Sequence, residues 1–461
     1  MAMFFVHVLA VLVVVLWFGA SAGAAGAADD GEIVRNGDFR QAGKGEMPAD
    51  WSTWQPPWEK ARCAVRRADG GLRVEAPGRP HAVGGAVQDL KGVKPGQAYA
   101  VRAVCSTRKI ADPYRSLLVR LTWMQKRKLL HPAGWLIRGP AAAGRTLVFE
   151  DVLVAPKGAD AARLSLELKW PRGGSVLWRR VSVRPAAAPA PRKVRIGTIF
   201  LRPKSSTPAR NMKLWCEKID AAGKLKLDVV CLGEAILQVG TSKGGADVAQ
   251  PIPGPDTKRL GAAARKNNIW VVAGLTERDG DALYNTAVLI DRKGRLAGTY
   301  RKVHLPREEW KKGVTPGREY PVFETELGKV AIQICYDWFF PEAAEIFALR
   351  GAEILFAPTW GNTLPDKGGR VDGENVFRVR ARDNGLYMVP CVYDGSSMVI
   401  DPLGRILATS RGAHEGVYWA EVDLARREPL WWVGHWRSIG PRHRMTETYR
   451  QLAEPNQPPA P

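Results

Sequence analysis

Apolar and polar residues alternate in short runs over the first part of the chain. Between residues 31 and 183, runs such as "GLRVEA", "QAYAVRAV", "TLVFEDVLV" and "SVLWRRVSV" repeat with a period of two and are separated by turns rich in Gly, Pro and Asp. This period places alternate side chains on opposite faces of a strand, so that one face can be buried. Short strands at this spacing predict an all-β jelly-roll sandwich over residues 31–185.

The pattern changes after a Pro/Ala-rich stretch at residues 186–193, which we expect to be an extended linker. Apolar runs such as "VRIGTIF" and "IWVVAGLTE" then alternate with segments of helical period such as "ARNMKLWCEKIDAAGKL" and "DTKRLGAAARKNN". This order predicts an α/β domain over residues 194–455. The runs "ALYNTAVLID" and "LAGTYRKV" flank the turn "RKGR", which favours a hairpin and therefore a mixed sheet.

One apolar run precedes both predicted domains. It extends from Met3 to about Phe18 and is followed by small residues that include Ala20, Ser21 and Ala22. The run is short for a helix that spans a bilayer, so residues 1–28 are predicted to be a signal peptide, with an uncleaved membrane anchor as the alternative. Either interpretation predicts a secreted, periplasmic or cell-envelope-associated protein.

Positive charge is concentrated in the first predicted domain. The chain carries a formal net charge of +22, and residues 31–194 hold 30 Lys and Arg against 13 Asp and Glu. Clustered cations attract polyanions, so we expect this region to bind acidic polysaccharide or a related cell-envelope glycan. The alternative is that the charge only maintains solubility. No nucleic acid is expected, since no recognised nucleic-acid-binding motif accompanies the charge.

The cysteines show no metal-binding spacing. They are Cys63, Cys105, Cys216, Cys231, Cys335 and Cys391, and none forms a C-x-x-C pair, so neither a metal nor a cofactor is expected. Cys63 and Cys105 could form a disulfide in an oxidising compartment or remain buried thiols. Cys216, Cys231 and Cys391 lie in apolar runs that indicate core positions.

Three side chains with reactive groups stand at the ends of apolar runs in the α/β domain. Glu234 ends "LDVVCLGE", Lys302 follows "LAGTYR", and Cys335 ends "KVAIQIC". Ligand sites in open α/β sheets are built at strand ends, so these three side chains are candidates for one site.

The three side chains have complementary chemistry. A thiol reacts as its thiolate, and Glu234 could take the proton of Cys335 and later pass it to a leaving amine. Lys302 suits the oxyanion that forms when sulfur adds to a carbonyl group, and the backbone N–H of Tyr336 would be a second donor. Pro341 suits the first turn of the helix that follows.

The segments around these residues resemble the carbon–nitrogen hydrolase, or nitrilase, superfamily. The similarity lies in "CLGEA", "YRKVHLP" and "ICYDWFFPE", with further matches at "YNTAVLID", "APTWG" and "DPLGRIL". The resemblance implies an αββα sandwich and a Glu234–Lys302–Cys335 triad that hydrolyses a linear amide or an N-carbamoyl amine. The segments "NGDF" and "PADW" resemble the start of galactose-binding-like jelly-roll modules, many of which bind carbohydrate.

The resemblance also implies a second glutamate between the lysine and cysteine segments. "LPREEWKKGVTPG" offers Glu308 and Glu309, and we predict Glu309. Trp338, Trp360 and Tyr393 are candidates for an aromatic substrate pocket. Members of the superfamily usually self-associate, and the aromatic tail from Glu428 could cover a partner surface, so a homo-oligomer is expected.

Other functions remain open at this point. Nitrile hydrolysis or another thiol acyl transfer would use the same triad. A protease that paired Cys335 with His304 or His435 is disfavoured, because the papain and caspase motifs are missing from the sequence. An inactive, secreted glycan-binding or adhesion protein is the non-enzymatic alternative, and the intact triad argues against it.

Overall fold

The structure, a computed structural model, describes residues 31–130, 134–361, 373–411, 414–427, 429–430 and 434–454. The predicted signal peptide, residues 1–28, lies outside this described part of the chain. Across the described ranges, no helix is both long and apolar enough to cross a membrane.

Residues 52–186 form two six-stranded antiparallel sheets. Their elements are β1 (Ser52–Trp54), β2 (Ala64–Ala68), β3 (Gly71–Ala76), β4 (Val83–Lys91), β5 (Ala98–Arg108), α1 (Pro113–Ser116), β6 (Leu117–Gln125), β7 (Lys128–Leu129), β8 (Trp135–Leu136), β9 (Ala141–Ala143), β10 (Thr146–Val154), β11 (Ala161–Lys169) and β12 (Gly174–Ala186). The first sheet has the order β1-β4-β11-β6-β7, with β8 also paired to β6, and the second has the order β2-β3-β12-β5-β10-β9.

One hydrophobic core lies between these two sheets. It receives alternate residues of both, for example Leu164 from the first sheet and Trp178 from the second. Cys63 and Cys105 both belong to this core, and both are free thiols. Burial raises the pKa of each to about 12, so both remain protonated near neutral pH. The structure therefore has Cys63 and Cys105 as separate buried thiols and not as a disulfide.

The described residues from 193 onward form two mixed sheets with helices on their outer faces, and a separate pair of short strands. The elements are β13 (Lys193–Phe200), α2 (Pro208–Lys224), β14 (Val229–Cys231), α3 (Gly245–Val248), α4 (Pro255–Asn267), β15 (Trp270–Asp279), β16 (Ala282–Ile290), β17 (Leu296–Arg301), α5 (Arg307–Trp310), β18 (Val322–Thr325), β19 (Gly328–Ile332), α6 (Pro341–Leu349), β20 (Ile354–Gly361), α7 (Gly373–Asn384), β21 (Tyr387–Asp394), β22 (Met398–Ile400), β23 (Ile406–Thr409), β24 (Gly416–Asp423), β25 (Pro429–Leu430), β26 (Gly434–His435) and α8 (Trp436–His443).

The strand orders in these two mixed sheets are β17-β16-β15-β14-β13-β24 and β18-β19-β20-β21-β22-β23. In each sheet the three central strands run parallel and the outer strands antiparallel, which confirms the mixed sheet predicted from the hairpin turn. Side chains between the sheets also join them, since the buried hydroxyl of Thr198 donates to the Pro390 carbonyl at 2.9 Å. The predicted linker is shorter than expected, because β12 extends to Ala186 and β13 begins at Lys193.

The same turn closes an outer hairpin in each of these sheets. In "DRKGR", Asp291 accepts hydrogen bonds from the backbone of Lys293 and Arg295 and from the Arg295 side chain. In "DPLGR", Asp401 accepts the corresponding bonds from Leu403 and Arg405. A carboxylate that hydrogen-bonds its own backbone two and four residues ahead fixes the turn, and with it the register of each hairpin.

The C-terminal segment packs against the N-terminal sheets of the same chain. The Arg115 guanidinium donates to both carboxylate oxygens of Glu447 at 2.9 and 2.8 Å, and Trp135 stacks on His435. His435 and Glu447, two residues of the tail, therefore contact the N-terminal sheets of their own chain. The side chains of Trp431, Trp432 and Trp436 lie outside the described part of the chain, so the homo-oligomer expected from the aromatic tail stays a prediction.

A buried ion pair also joins the two halves. The side chain of Asp151, on β10, is fully buried and accepts two hydrogen bonds from Arg427 at 2.7 and 2.6 Å. Arg138 binds the same carboxylate at 3.1 Å. Since a buried carboxylate is costly without such partners, this contact favours one arrangement of the C-terminal segment on β10.

Candidate active site

Close backbone packing holds Glu234 beyond the end of β14. A Cβ atom at Gly233 would lie 2.3 Å from the Tyr393 hydroxyl oxygen, and one at Gly274 would lie 2.7 Å from Cα of Glu234. Glycine at both positions lets β15 and the Tyr393 ring approach the chain. The Tyr393 hydroxyl donates to the Glu234 carbonyl oxygen at 2.7 Å, which fixes the backbone of this residue.

The carboxylate of Glu234 accepts three hydrogen bonds. Its Oε1 receives one from Asn285 Nδ2 at 2.7 Å and one from Lys302 Nζ at 2.9 Å. Its Oε2 receives one from the backbone N–H of Trp360 at 2.8 Å. The side chain is only 3 % exposed, so these donors replace the water that would otherwise solvate the carboxylate.

Lys302 is fully buried and lies between two carboxylates. Its Nζ is 2.9 Å from Glu234 Oε1 and 2.6 Å from Glu309 Oε1. Burial alone would lower the pKa of Lys302, but the negative charges of Glu234 and Glu309 outweigh burial and raise it above its usual value. The amine therefore remains an ammonium ion across the neutral range.

Adjacent glutamates on α5 have different surroundings. The Glu309 side chain points inward to Lys302, whereas that of Glu308 is 74 % exposed and lies 3.8 Å from Arg307. Burial raises the pKa of Glu309, and Lys302 opposes the increase. Among the described residues, Glu309 Oε2 is buried without a hydrogen-bond partner.

Cys335 lies at a sharp turn between β19 and a 3-10 helix that spans Cys335–Phe339. Its φ angle is +41°, in the left-handed region that residues with a Cβ rarely occupy. Asp337 stabilises this turn: its fully buried carboxylate accepts hydrogen bonds from the backbone of Ile334 and His304 and from the Tyr300 hydroxyl. The hydrogen bonds of Asp337, two residues after Cys335, thus stabilise the strained backbone conformation of Cys335.

The Glu234 carboxyl group and the backbone N–H of Trp360 both lie close enough to the Cys335 thiol to act on its pKa. Burial and the negative charge of Glu234 raise the pKa of the Cys335 thiol to about 12, although Lys302 acts in the opposite direction. The resting thiol is therefore protonated near neutral pH. It reacts only if its proton is removed as it attacks, and Glu234 is the carboxylate that lies close to it.

The structure brings together Glu234, Lys302, Cys335 and Glu309, which the sequence had placed on four separate segments. Trp360 and Tyr393 adjoin Glu234 through the hydrogen bonds given above, and their rings meet edge to face at 5.5 Å.

Trp338 occupies a different environment from Trp360. It is 2 % exposed and packs on Phe339 and Phe377, so its ring belongs to the core beneath the turn. Tyr336 directly follows Cys335, and its N–H is one of the first in a helix, which have no partner within the helix.

Sequence reasoning missed Asn285 and Asp337. Asn285 lies in "YNTAVLID" and donates to both Glu234 and Glu309, at 2.7 and 3.2 Å. Asp337 lies in "ICYDWFFPE". Both residues occur in segments that resemble the superfamily, but only their contacts identify what they do. Among the residues that the structure describes, no cluster of His, Cys, Asp or Glu side chains could hold a metal ion.

A family model described as "Carbon-nitrogen hydrolase" matches residues 195–430. The nitrilase of Pyrococcus abyssi is 32% identical over 246 residues, which are 50% of this chain and 90% of that protein. Omega-amidase NIT2 of Mus musculus is 31% identical over 241 residues, or 48% and 86% of the two chains. The citrullinase of Francisella tularensis subsp. tularensis is 32% identical over 209 residues, or 40% and 73%. The chain belongs to the carbon–nitrogen hydrolase family.

Solved structures of similar proteins cover a little over half of the chain. Saccharomyces cerevisiae Nit3, a member of branch 10 of the nitrilase superfamily, is 27% identical with a TM-score of 0.46 and covers 52% of this chain and 93% of its own. A carbon-nitrogen hydrolase from Helicobacter pylori G27 is 24% identical with a TM-score of 0.49 and covers 57% and 99%.

We expect Gly233→Ala to disturb the site through the contact between Gly233 and Tyr393. The added methyl group would overlap the Tyr393 hydroxyl, so the ring or the backbone that carries Glu234 must move, and a shift of this kind can cost about 10²-fold in rate. Turnover and thermal unfolding of the variant would be measured together. The matched control is Gly244→Ala, where the nearest atom would be Asp247 Oδ2 at 3.5 Å. Equal turnover of the two variants would contradict this account of Gly233.

Proposed function

We propose that this protein hydrolyses a non-peptide C–N bond, in a linear amide or an N-carbamoyl amine, through a thioester on Cys335. The observation that carries the proposal is the position of a protonated thiol close to the carboxylate of Glu234, which also binds the Lys302 ammonium ion. Membership of the carbon–nitrogen hydrolase family supports the reaction class. The relatives named omega-amidase and citrullinase support a substrate with a C–N single bond.

In the first half-reaction, the Cys335 sulfur attacks the carbonyl carbon while Glu234 removes the thiol proton. The tetrahedral intermediate carries a negative oxygen, which the Lys302 ammonium and the Tyr336 N–H stabilise. Glu234 then gives its proton to the nitrogen, the C–N bond breaks, and ammonia or an amine leaves. The acyl group remains on sulfur as a thioester.

Lys302 can serve as an oxyanion donor because its ammonium group has three protons. Two of them are directed to Glu234 and Glu309, which leaves one for the substrate oxygen. Glu309 holds the ammonium in place, and its unpaired Oε2 is suited to accept a hydrogen bond from the substrate N–H. Both contacts would orient the carbonyl group for attack.

In the second half-reaction, water attacks the thioester. Glu234, ionised again after the amine has left, removes a proton from the water, and the same two donors stabilise the second oxyanion. The thiolate leaves and takes the proton back from Glu234, so the acid is released and the site returns to its starting state.

Nitrile hydrolysis is the second candidate, and the relative named nitrilase favours it. A nitrile would form a thioimidate on the same sulfur and would require two molecules of water for complete hydrolysis. The two candidates therefore differ in substrate, while both require Cys335, Glu234 and Lys302.

We expect Cys335→Ala to abolish hydrolysis of every substrate, since no other group can form the thioester. Ammonia release would be measured with linear amides, N-carbamoyl amines and nitriles offered separately. Cys216→Ala is the matched control, because Cys216 lies on helix α2, is only partly buried and bonds Met212 of its own helix rather than a residue of the site. Turnover of any substrate by Cys335→Ala would disprove the mechanism. If the wild-type protein released ammonia from nitriles only, the second candidate would be selected.

Glu309 and Glu308 provide a comparison of neighbouring residues on one helix. We expect Glu309→Gln to reduce the rate of acylation by about 10²-fold, because the amide cannot hold the Lys302 ammonium as a carboxylate does. Glu308→Gln should leave the rate unchanged, since its side chain faces solvent. Single-turnover measurements of acylation would test both variants, and a larger loss in Glu308→Gln would reverse the assignment.

A further inference from the structure

A cluster of cationic side chains lies outside the site described above, where the C-terminal helix α8 meets the first N-terminal sheet. Lys169 ends β11 and Arg120 lies on β6. The pairing of Ser165 with Arg120 and of Glu167 with Leu118 places Lys169 and Arg120 on the same face of this sheet. Arg442 on α8 reaches the same end of β11, because it donates to the carbonyl oxygen of Leu117, which pairs with Leu168 beside Lys169. We call these three residues, together with Arg115 on α1, the cationic cluster.

Two members of the cationic cluster are nearly buried without a counter-ion. Lys169 is 8 % exposed, and its Nζ lies 4.9 Å from the centre of the Trp170 ring. No carboxylate in the described ranges forms an ion pair with this amine. Arg442 is 3 % exposed and donates only to backbone carbonyl groups, those of Tyr114, Leu117 and Gly139. Its Nε has no partner among the described residues.

The carboxylates in the neighbourhood are occupied by arginines. Glu167 pairs with Arg120 at 3.2 Å, and Glu447 pairs with Arg115 at 2.8 Å. Arg172 is the next cation toward solvent and lies 3.8 Å from Glu447. A third carboxylate, that of Asp112, accepts a hydrogen bond from the backbone N–H of Arg115 and also acts on Arg442. The five cations therefore exceed the three carboxylates.

The pKa values agree with this excess. Burial, together with the charge of Arg115, lowers the pKa of Lys169 to about 8, although Glu167 acts in the opposite direction. Partial burial and the charges of Lys169, Arg120 and Arg442 also lower the pKa of His443, although this residue is largely exposed. Below pH 8 the Lys169 amine is still mostly charged, so the repulsion within the cluster persists under neutral conditions.

Like charges held out of water are costly unless an opposite charge lies among them. We propose that Lys169, Arg120 and Arg442 form a binding site for one oxyanion, a carboxylate, sulfate or phosphate group. Amine and guanidinium donors are the groups that proteins use for such anions. The site joins the sheet to α8, so the bound anion also holds the C-terminal segment in place.

The oxyanion can come from two sources, a free inorganic ion or the charged group of an acidic polysaccharide. Trp170 is 42 % exposed and lies against Lys169, so it offers a flat apolar surface beside the charge. A sugar ring that carries a carboxylate or sulfate matches this combination. The polysaccharide expected from the charge of residues 31–194 would then have a defined contact point.

The test uses thermal unfolding of the full chain with increasing sulfate at constant ionic strength, adjusted with chloride. We expect a saturable rise in Tm for the wild-type protein, because a ligand that binds only the folded state stabilises it. Lys169→Met should lose the saturable rise and, without sulfate, should be at least as stable as the wild type. Lys91→Met, an exposed change of the same charge at the other end of β4 and β11, should keep the rise and controls for the general effect of sulfate.

A response that is the same in all three proteins, or lacking in the wild type, would overturn the proposal. If Lys169→Met does not fold, acetylation of the wild-type protein followed by peptide mass spectrometry replaces it. Sulfate should slow acetylation of Lys169 and not of Lys91, and equal effects on both would overturn the proposal.

Competition with polygalacturonate then separates the two sources of the anion. Displacement of sulfate by polygalacturonate, with no displacement by a neutral galactan, would identify the polysaccharide. Binding of sulfate alone would identify a small anion at the same site.

Discussion

The buried ion group of Lys302 with Glu234 and Glu309 is the interaction on which the rest of the site depends. An ammonium ion that is fully removed from water requires compensation, and two carboxylates within 3 Å supply it. The same contacts fix the direction of the Glu234 carboxylate, so its other oxygen reaches the Trp360 N–H, on the side of the site where Trp360 and Glu234 both act on the Cys335 thiol. Strand ends from both sheets must therefore keep their positions for the site to exist.

The fold keeps these positions through close backbone contacts and buried polar groups. Glycine at positions 233 and 274 allows neighbouring strands and the Tyr393 ring to approach Glu234, and Asp337 holds the strained turn at Cys335. Each feature costs stability by itself, through lost side-chain packing, burial of polar groups or an unfavourable φ angle. Each also limits how far the reacting groups can move.

Part of this arrangement could be predicted from the sequence. The change of period near residue 190 separated the two regions, and apolar runs that end in Glu234, Lys302 and Cys335 identified the candidate triad. Asn285 could not be found in this way, because an asparagine within a strand carries no signal until its amide is seen between two carboxylates. Which of Glu308 and Glu309 binds Lys302 likewise depends on the directions in which the side chains of a one-turn helix point, and the sequence does not encode them. The packing of the C-terminal tail on its own chain depends on long-range contacts, such as that of Arg115 with Glu447, which periodicity does not encode.

The most direct test of the proposed mechanism is peptide mass spectrometry of the enzyme quenched with acid during its first turnover of a linear amide. The mechanism predicts an added mass equal to the acyl group of the substrate, carried on Cys335 and removed by hydroxylamine, as expected for a thioester. Release of ammonia at the normal rate with the acyl group on another residue, or on none at any time during the turnover, would contradict it.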